Sequence, residues 1–312
     1  MTRARVAFLG SPDAAVPSLV AAAEAFDVVG AITQPGRPYG RGRRIRPTPV
    51  EQASGSAGIP VQTPESSREV IAAMESMAPL DLALVVAYGR ILRPAALAAP
   101  RRGVLNLHFS ILPRWRGAAP VIRSVLAGDD RVGLSIMRLD EGLDTGPVLT
   151  TWSRPLRPSD RSGPLTETFA RRGARLLTST ALAVLRGSAV AVPQPPSGAT
   201  MAEKVSADDR IIRWDRSPDA VRRQIHGLSP RPGARTTLDG EPFQVLAVTP
   251  TGSEDHAPVS GEPGSGSAVD GHPVVAVHRG ALRLDLVHPA GGRPMDGAAW
   301  LRGRRSATFR LG

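Results

Sequence analysis

The 312-residue chain contains no cysteine, which excludes disulfides, thiolate metal sites and a cysteine nucleophile. Lysine is nearly absent as well: Lys204 is the one lysine, and every other basic side chain is arginine. No apolar run approaches the ~20 residues that a membrane-spanning helix requires, so no membrane association is expected. The first ten residues pass at once into a short apolar run ending at Gly10, without the longer apolar core of a secretion signal. That run predicts a first strand, and the chain is expected to be cytoplasmic. Its length predicts two domains, each able to bury a core of its own.

Charge of one sign prevails. The formal net charge is +11, which favours a polyanionic partner through counterion release. The near-exclusive use of arginine, beside many Ala, Gly and Pro residues, also fits GC-rich coding bias, so net charge alone leaves RNA binding open. Distribution is more informative: Arg37, Arg41, Arg43, Arg44 and Arg46 fall within ten residues, with no acid among them.

The first half alternates apolar runs with helix-like stretches, the pattern of parallel strands joined by crossover helices. Strands are predicted over 6–9, 28–33, 81–87 and 103–107, and helices over 13–25, 66–77 and 163–187, the first capped by Ser11 or Asp13. Such a doubly wound α/β sheet binds ligands beyond the carboxyl ends of its strands, where strand order reverses. Residues 190–200, with three prolines, read as an extended linker. Beyond them, short apolar segments at 243–248, 273–277 and 282–287 predict a small β-barrel, with a mobile loop over 253–267. The expected division is a catalytic domain over 1–188, a linker over 189–206 and a C-terminal domain over 207–312. No internal repeat is evident.

Gly10 follows the first strand, but the further glycines of a dinucleotide fingerprint are missing, and no Walker-type loop occurs. In the segment from Gly103 to Pro120, Asn106 and His108 alternate with Leu105 and Leu107, so a period of two turns both polar side chains to one face at the strand's carboxyl end. An amide donor and an imidazole together can hold a carbonyl oxygen as negative charge develops on it. Downstream, the turn-prone stretch Asp140-Glu-Gly-Leu-Asp-Thr-Gly146 supplies a carboxylate able to orient or charge that imidazole. Taken singly, each is an ordinary strand-end or turn residue. Asp144-Thr145-Gly146 also matches the aspartic-protease tripeptide, but only one copy is present, in an α/β pattern.

In combination, Asn106-Leu-His108, the following Ser-Ile-Leu-Pro-Arg-Trp-Arg-Gly and the Gly142–146 loop resemble the folate-dependent formyltransferase family. The arginine-rich insertion at 34–47 and the second domain resemble the branch acting on methionyl-initiator tRNA. That resemblance implies a Rossmann-like catalytic domain followed by an OB-fold-like barrel. It implies 10-formyltetrahydrofolate as formyl donor, methionyl-initiator tRNA as acceptor, no metal and a monomer. Asn106 and His108 would hold the formyl oxygen, and Asp144 would position the imidazole or a water and help remove the amine proton. Ser110, Ile111, Leu112 and Pro113 match the family's folate-binding stretch, with Val86, Tyr88 and Asp140 bordering the pterin. Arg37, Arg41, Arg43 and Arg44 would contact tRNA.

Departures from the family pattern are Gly36, Phe109, Met201 and Arg231; Phe109 is expected to tighten the folate pocket. Two competing readings remain: a formyltransferase acting on a small amine, and an RNA-binding protein that has lost catalysis.

Overall fold

The computed structural model describes residues 3–39, 44–252, 259 and 261–312, with backbone only for Tyr39 and Arg44. Two compact units emerge: Met1–Pro120, Val132–Arg154 and Thr166–Ala202 form one, and Val121–Arg131, Pro155–Leu165 and Glu203–Gly312 the other.

In the first unit, strands β1 (Arg5–Gly10), β2 (Asp27–Ile32), β3 (Arg37–Tyr39), β4 (Arg44–Arg46), β5 (Val61–Gln62), β6 (Leu82–Val86), β7 (Val104–His108), β8 (Arg116–Gly117), β9 (Arg131–Arg138), β10 (Val148–Pro155) and β11 (Met201–Ala202) follow in chain order. Helices α1 (Val16–Ala25), α2 (Pro49–Ser56), α3 (Ser67–Ser76) and α4 (Pro94–Ala98) lie between them in sequence, α5 (Pro120–Ala127) falls almost wholly in the second unit, and α6 (Ser162–Leu185) belongs to the first from Thr166 on. The main sheet has the order β10-β9-β7-β6-β1-β2-β5. The four predicted strands are its centre, β7-β6-β1-β2, and they run parallel. Their near-continuous apolar runs are what a strand covered on both faces requires, and Val6, Ala7, Phe8 and Leu9 are fully buried. Strand order reverses between β1 and β6. The sheet is mixed rather than all parallel, because β9 pairs antiparallel with β7.

Local signals explain most helix limits. Ser66 caps α3 through the Glu69 N–H, whereas neither Ser11 nor Asp13 caps α1. A 3-10 turn at Asp13–Ala15 precedes that helix, and the Ser11 hydroxyl instead accepts from the Gln34 N–H at 3.1 Å. Helix α2 begins with a capping box formed by Thr48 and Glu51.

The second unit holds α7 (Pro218–Leu228), β12 (Ala234–Leu238), β13 (Glu241–Thr251), β14 (Ser265–Val269), β15 (His272–Val277), β16 (Gly280–Pro289), β17 (Met295–Asp296), α8 (Gly297–Arg302) and β18 (Thr308–Arg310). Its antiparallel sheet runs β12-β13-β16-β15-β14-β18, and a bridge between Leu238 and Leu311 brings the two edges together in a curled, barrel-like sheet. Trp214, Val221, Ile225, Phe243, Trp300 and Phe309 belong to its core. Of the loop expected over 253–267, residues 253–258 and 260 lie outside the described residues, while Ser265 onward is strand β14.

Candidate active site

Strand β7 is the origin of the site. Its register sets Asn106 opposite Val85 of β6 and His108 opposite Ser135 of β9. Leu107 and Phe109 face the other way: Leu107 packs on Gly173 of α6, and the Phe109 ring meets Phe169 edge-on at 6.4 Å. Phe109 therefore fills the helix-covered face, contrary to the expectation that it tightens a folate pocket, because odd and even positions of a strand point to opposite sides.

Asn106 is 8% exposed and His108 6%. The Asn106 amide, which can donate, stands two residues before His108 on β7 and so shares that face of the strand. His108 is held firmly. Its Nε2 lies 2.8 Å from the Trp115 carbonyl oxygen, which can only accept, so Nε2 carries the proton. The Nδ1 edge then faces Asp144, 3.6 Å from Oδ2.

Two left-handed residues make this geometry. Trp115 (φ 63°) turns its carbonyl towards the imidazole, and Asp144 (φ 55°) sits at the tip of the 140–146 loop. Such conformations persist only where the surroundings impose them. Around Asp144, Gly117 N–H donates to Oδ2 at 2.8 Å, and the Asp140 carboxylate ties its own loop by accepting from Gly142 N–H and the Thr145 hydroxyl. Gly146 is obligatory, since a Cβ there would lie 1.8 Å from the Arg138 carbonyl oxygen. The 110–115 loop is pinned in the same way. Ser110 donates to the Arg114 carbonyl at 2.6 Å, while buried Ser135 donates to the Ser110 carbonyl and accepts from Leu112 N–H.

The structure thus brings together Asn106, His108 and Asp144, with Ser110 beside them as a loop fastener. Ile111 and Pro113 are half-buried in that loop, and Leu112 lines a cavity of ≈ 340 Å³ with Val148, Thr150 and Val192. Asp140 is exposed and committed to its loop. Val86 and Tyr88 depart from expectation: both side chains are buried in the core, so neither borders an open pterin site with its side chain. Among the described residues the Tyr88 hydroxyl has no partner, and burial raises its pKa despite the opposing charge of Arg90.

Strands β3 and β4 form a hairpin in which Arg37 stands directly opposite Arg46. Gly36 lets its base close, because a Cβ would lie 2.7 Å from the Arg46 carbonyl oxygen. Arg37 is exposed; Arg41, Arg43 and the side chain of Arg44 lie outside the described residues.

Several residues at this site were not singled out by sequence: the Trp115 carbonyl, Gly117 N–H, Ser135, Thr200 and Gln194. The last two belong to the proline-rich stretch read as a linker. That stretch is extended but bonded at both ends. Val148 and Val192 exchange backbone hydrogen bonds, β11 pairs with β8, and Thr200 accepts from Trp115 N–H at 2.9 Å. Among the described residues, no group of three or more His, Asp or Glu side chains could hold a metal, and no helix is long and apolar enough to cross a membrane.

Residues 4–181 match the family described as formyl transferase, and residues 204–305 match the formyl transferase C-terminal domain. A methionyl-tRNA formyltransferase of Gluconobacter oxydans (strain 621H) is 42% identical over 303 residues, covering 96% of this chain and 97% of its own. The methionyl-tRNA formyltransferase of Arthrobacter sp. (strain FB24) is 44% identical over 303 residues, again covering 96% and 97%. Among solved structures, the N-formyltransferase from Helicobacter canadensis in complex with folinic acid and dTDP-3-aminofucose gives a TM-score of 0.68 at 15% identity, over 91% of this chain and 99% of that one. HypX from Aquifex aeolicus in complex with tetrahydrofolic acid gives 0.64 at 16%, over 96% of this chain, which spans about half (47%) of it. The two structural likenesses establish the fold, and the near-full-length sequence identity goes further: the chain belongs to the methionyl-tRNA formyltransferase family.

Proposed function

We propose that the chain transfers the formyl group of 10-formyltetrahydrofolate to the amino group of methionyl-initiator tRNA, giving N-formylmethionyl-tRNA for translation initiation. The observation that carries the chemistry is the imidazole of His108, whose Nδ1 faces the Asp144 carboxylate at 3.6 Å, on the same strand face as the Asn106 amide.

The amine nitrogen attacks the formyl carbon and the carbonyl oxygen becomes an oxyanion. The bond from carbon to N10 of the folate then breaks, and N10 takes up a proton. An α-amine beside an ester is less basic than an ordinary amine, so much of it is neutral near pH 7 and stabilising the oxyanion is the main task. Asn106 donates an amide N–H to that oxygen. His108 works through Nδ1, because Nε2 is engaged by the Trp115 carbonyl. Asp144, its Oδ2 held by Gly117, balances charge on the imidazole and takes the proton from the attacking amine. The 110–113 loop and the 140–146 loop hold the folate.

For tRNA, the support is the hairpin at 37–46. Five arginines fall between 37 and 46 with no acid among them, and clustered cations gain affinity for a phosphate backbone by releasing counterions. Arg37, Arg41, Arg43 and Arg44 contact the acceptor stem in this reading, and the barrel adds contacts mainly to phosphate. The division of labour follows the sequence boundaries, 1–188 for chemistry and 207–312 for tRNA. The chain works in the cytoplasm as a monomer.

A formylation assay comparing methionyl-initiator tRNA, methionyl-elongator tRNA and a nucleotide-linked amino sugar tests the assignment. Initiator tRNA should be strongly preferred. Faster transfer to the amino sugar would replace this reading with a small-amine formyltransferase.

A further inference from the structure

Gln194 lies in the segment that composition marks as a spacer, yet its amide makes four hydrogen bonds. Its Oε1 accepts from Arg116 twice, from Nε at 3.0 Å and from the terminal nitrogen Nη2 at 2.8 Å. Its Nε2 donates to the carbonyl oxygens of Asp144 at 2.9 Å and Gly146 at 2.7 Å. A primary amide has two N–H donors and an oxygen with two lone pairs, so the group is saturated. Its orientation is unambiguous, since a flipped amide would set its NH₂ against a guanidinium and its oxygen against two carbonyls.

These partners are the ones that matter for Asp144. A non-glycine residue at φ 55° holds its conformation only if the backbone is tied, and Gln194 ties the carbonyls on both sides of Thr145. Arg116 directly precedes Gly117, whose N–H holds the Asp144 carboxylate. One amide thus fixes the backbone that carries Asp144 and the residue next to the N–H that aims its side chain. The segment is itself anchored on either side, at Val192 on β10 and at β11 on β8, so Gln194 is not free to follow a moving loop.

We infer that Gln194, with Arg116, is a positioning residue for Asp144 and that residues 192–202 act as a strap across the site. The inference rests on the catalytic reading of Asp144. Gln194→Ala should lower formyl transfer to methionyl-initiator tRNA about tenfold through kcat, the scale of a small misplacement of a reacting group. The folate KM should stay within about twofold, and the pH dependence of kcat should shift. Gln194→Glu keeps an acceptor for Arg116 but turns a carboxylate towards two carbonyls, so it should fail as badly as alanine. Gln194→Met, which keeps the stem and removes every hydrogen bond, takes the place of alanine if the alanine variant unfolds.

The deciding measurement is the same substitution in an Asp144→Asn background. There it should cost less than about twofold, because residues acting as a unit are not additive. An equal loss in both backgrounds, a loss confined to KM, or full turnover in Gln194→Glu overturns the positioning role while leaving the reading of Asp144 intact. If Asp144→Asn alone retains full turnover, that reading and this inference fall together.

Discussion

The Nδ1 atom of His108 stands 3.6 Å from Asp144 Oδ2, while its Nε2 is held 2.8 Å from the Trp115 carbonyl oxygen. The imidazole thus cannot rotate to exchange its two nitrogens without losing a charge partner or a hydrogen bond. Which nitrogen meets substrate is decided by the backbone at Trp115 before any substrate arrives.

This arrangement predicts separable losses. Asn106→Ala and His108→Ala should each lower turnover by about 10²–10³, the effect of removing one oxyanion donor, with folate affinity little changed. Asp144→Asn should depress turnover and flatten its pH dependence, because the shape remains and the charge is gone. Single-turnover rates across a pH series check both. Near-normal turnover in any variant removes that residue from the mechanism.

Two glycine substitutions should act in opposite directions. Gly146→Ala drives a methyl into the Arg138 carbonyl, so a destabilisation of about 1–3 kcal/mol is expected, with loss of turnover as the Asp144 loop moves. In α2, Gly55 has nothing within 4 Å of an added Cβ and an ordinary helical backbone, so Gly55→Ala should stabilise by roughly 0.5–1 kcal/mol with turnover unchanged. Denaturant titration of the two variants beside the parent chain gives both signs.

In the second unit, His226 sets a pH limit on stability. It accepts from Val248 N–H through Nε2, and its Nδ1 lies 3.1 Å from the Pro158 carbonyl oxygen, so the fold holds it neutral. Burial, and then the positive charge of Arg222, lowers its pKa to about 4 from 6.5, with Arg161 adding to the same effect. The unfolded chain therefore binds a proton below pH 6.5 that the folded chain refuses until about pH 4. Stability is full above the upper value and falls as pH drops through this window, by on the order of 3 kcal/mol in all. His226→Gln should remove that slope; a slope that persists assigns it to other groups.

Recognition of tRNA should separate from chemistry at the hairpin. Arg41→Ala is expected to cut formylation of initiator tRNA sharply while folate affinity stays as it was. Removing Arg37 or Arg43 should weaken any tRNA alike and reduce the salt slope by about 1 for each phosphate no longer neutralised. Binding measured over a salt series distinguishes these outcomes from a solvated loop, for which all three variants would match the parent.

Asn106 and His108 could be found in the sequence because strand alternation is local: two polar residues two apart, between leucines, declare a face. Asp144 was visible through its glycine-flanked turn. What holds them was not. Gln194 reaches the Asp144 carbonyl across 50 residues and Arg116 across 78, and no periodicity encodes such a pairing. The left-handed backbone at Trp115 is equally silent, since nothing in a tryptophan announces positive φ. Strand β10 lacks the buried apolar run of the central four, and although β9 has one between Arg131 and Arg138, its antiparallel placement became visible only through its pairing with β7. The burial of the Tyr88 ring was not legible either: the resemblance set it beside the pterin, whereas a turn through Ala87 (φ 48°) and Gly89 (φ 83°) accompanies a ring folded back into the core.

The doubly anchored segment at 192–202 also changes what its residue count means. A tether between domains can gain or lose residues at little cost, since loop entropy varies only slowly with length. Here the spacing from Val192 to Gln194 to Thr200 is measured against two strands, as a ruler is. One residue inserted between the anchors would slide the amide past its carbonyls, and a fragment cut at residue 188 would keep Asn106, His108 and Asp144 but lose the part that aligns them. Indels in this stretch should therefore be rarer and more damaging than its proline-rich composition implies, and a designer splitting the chain would do better to cut after Ala202.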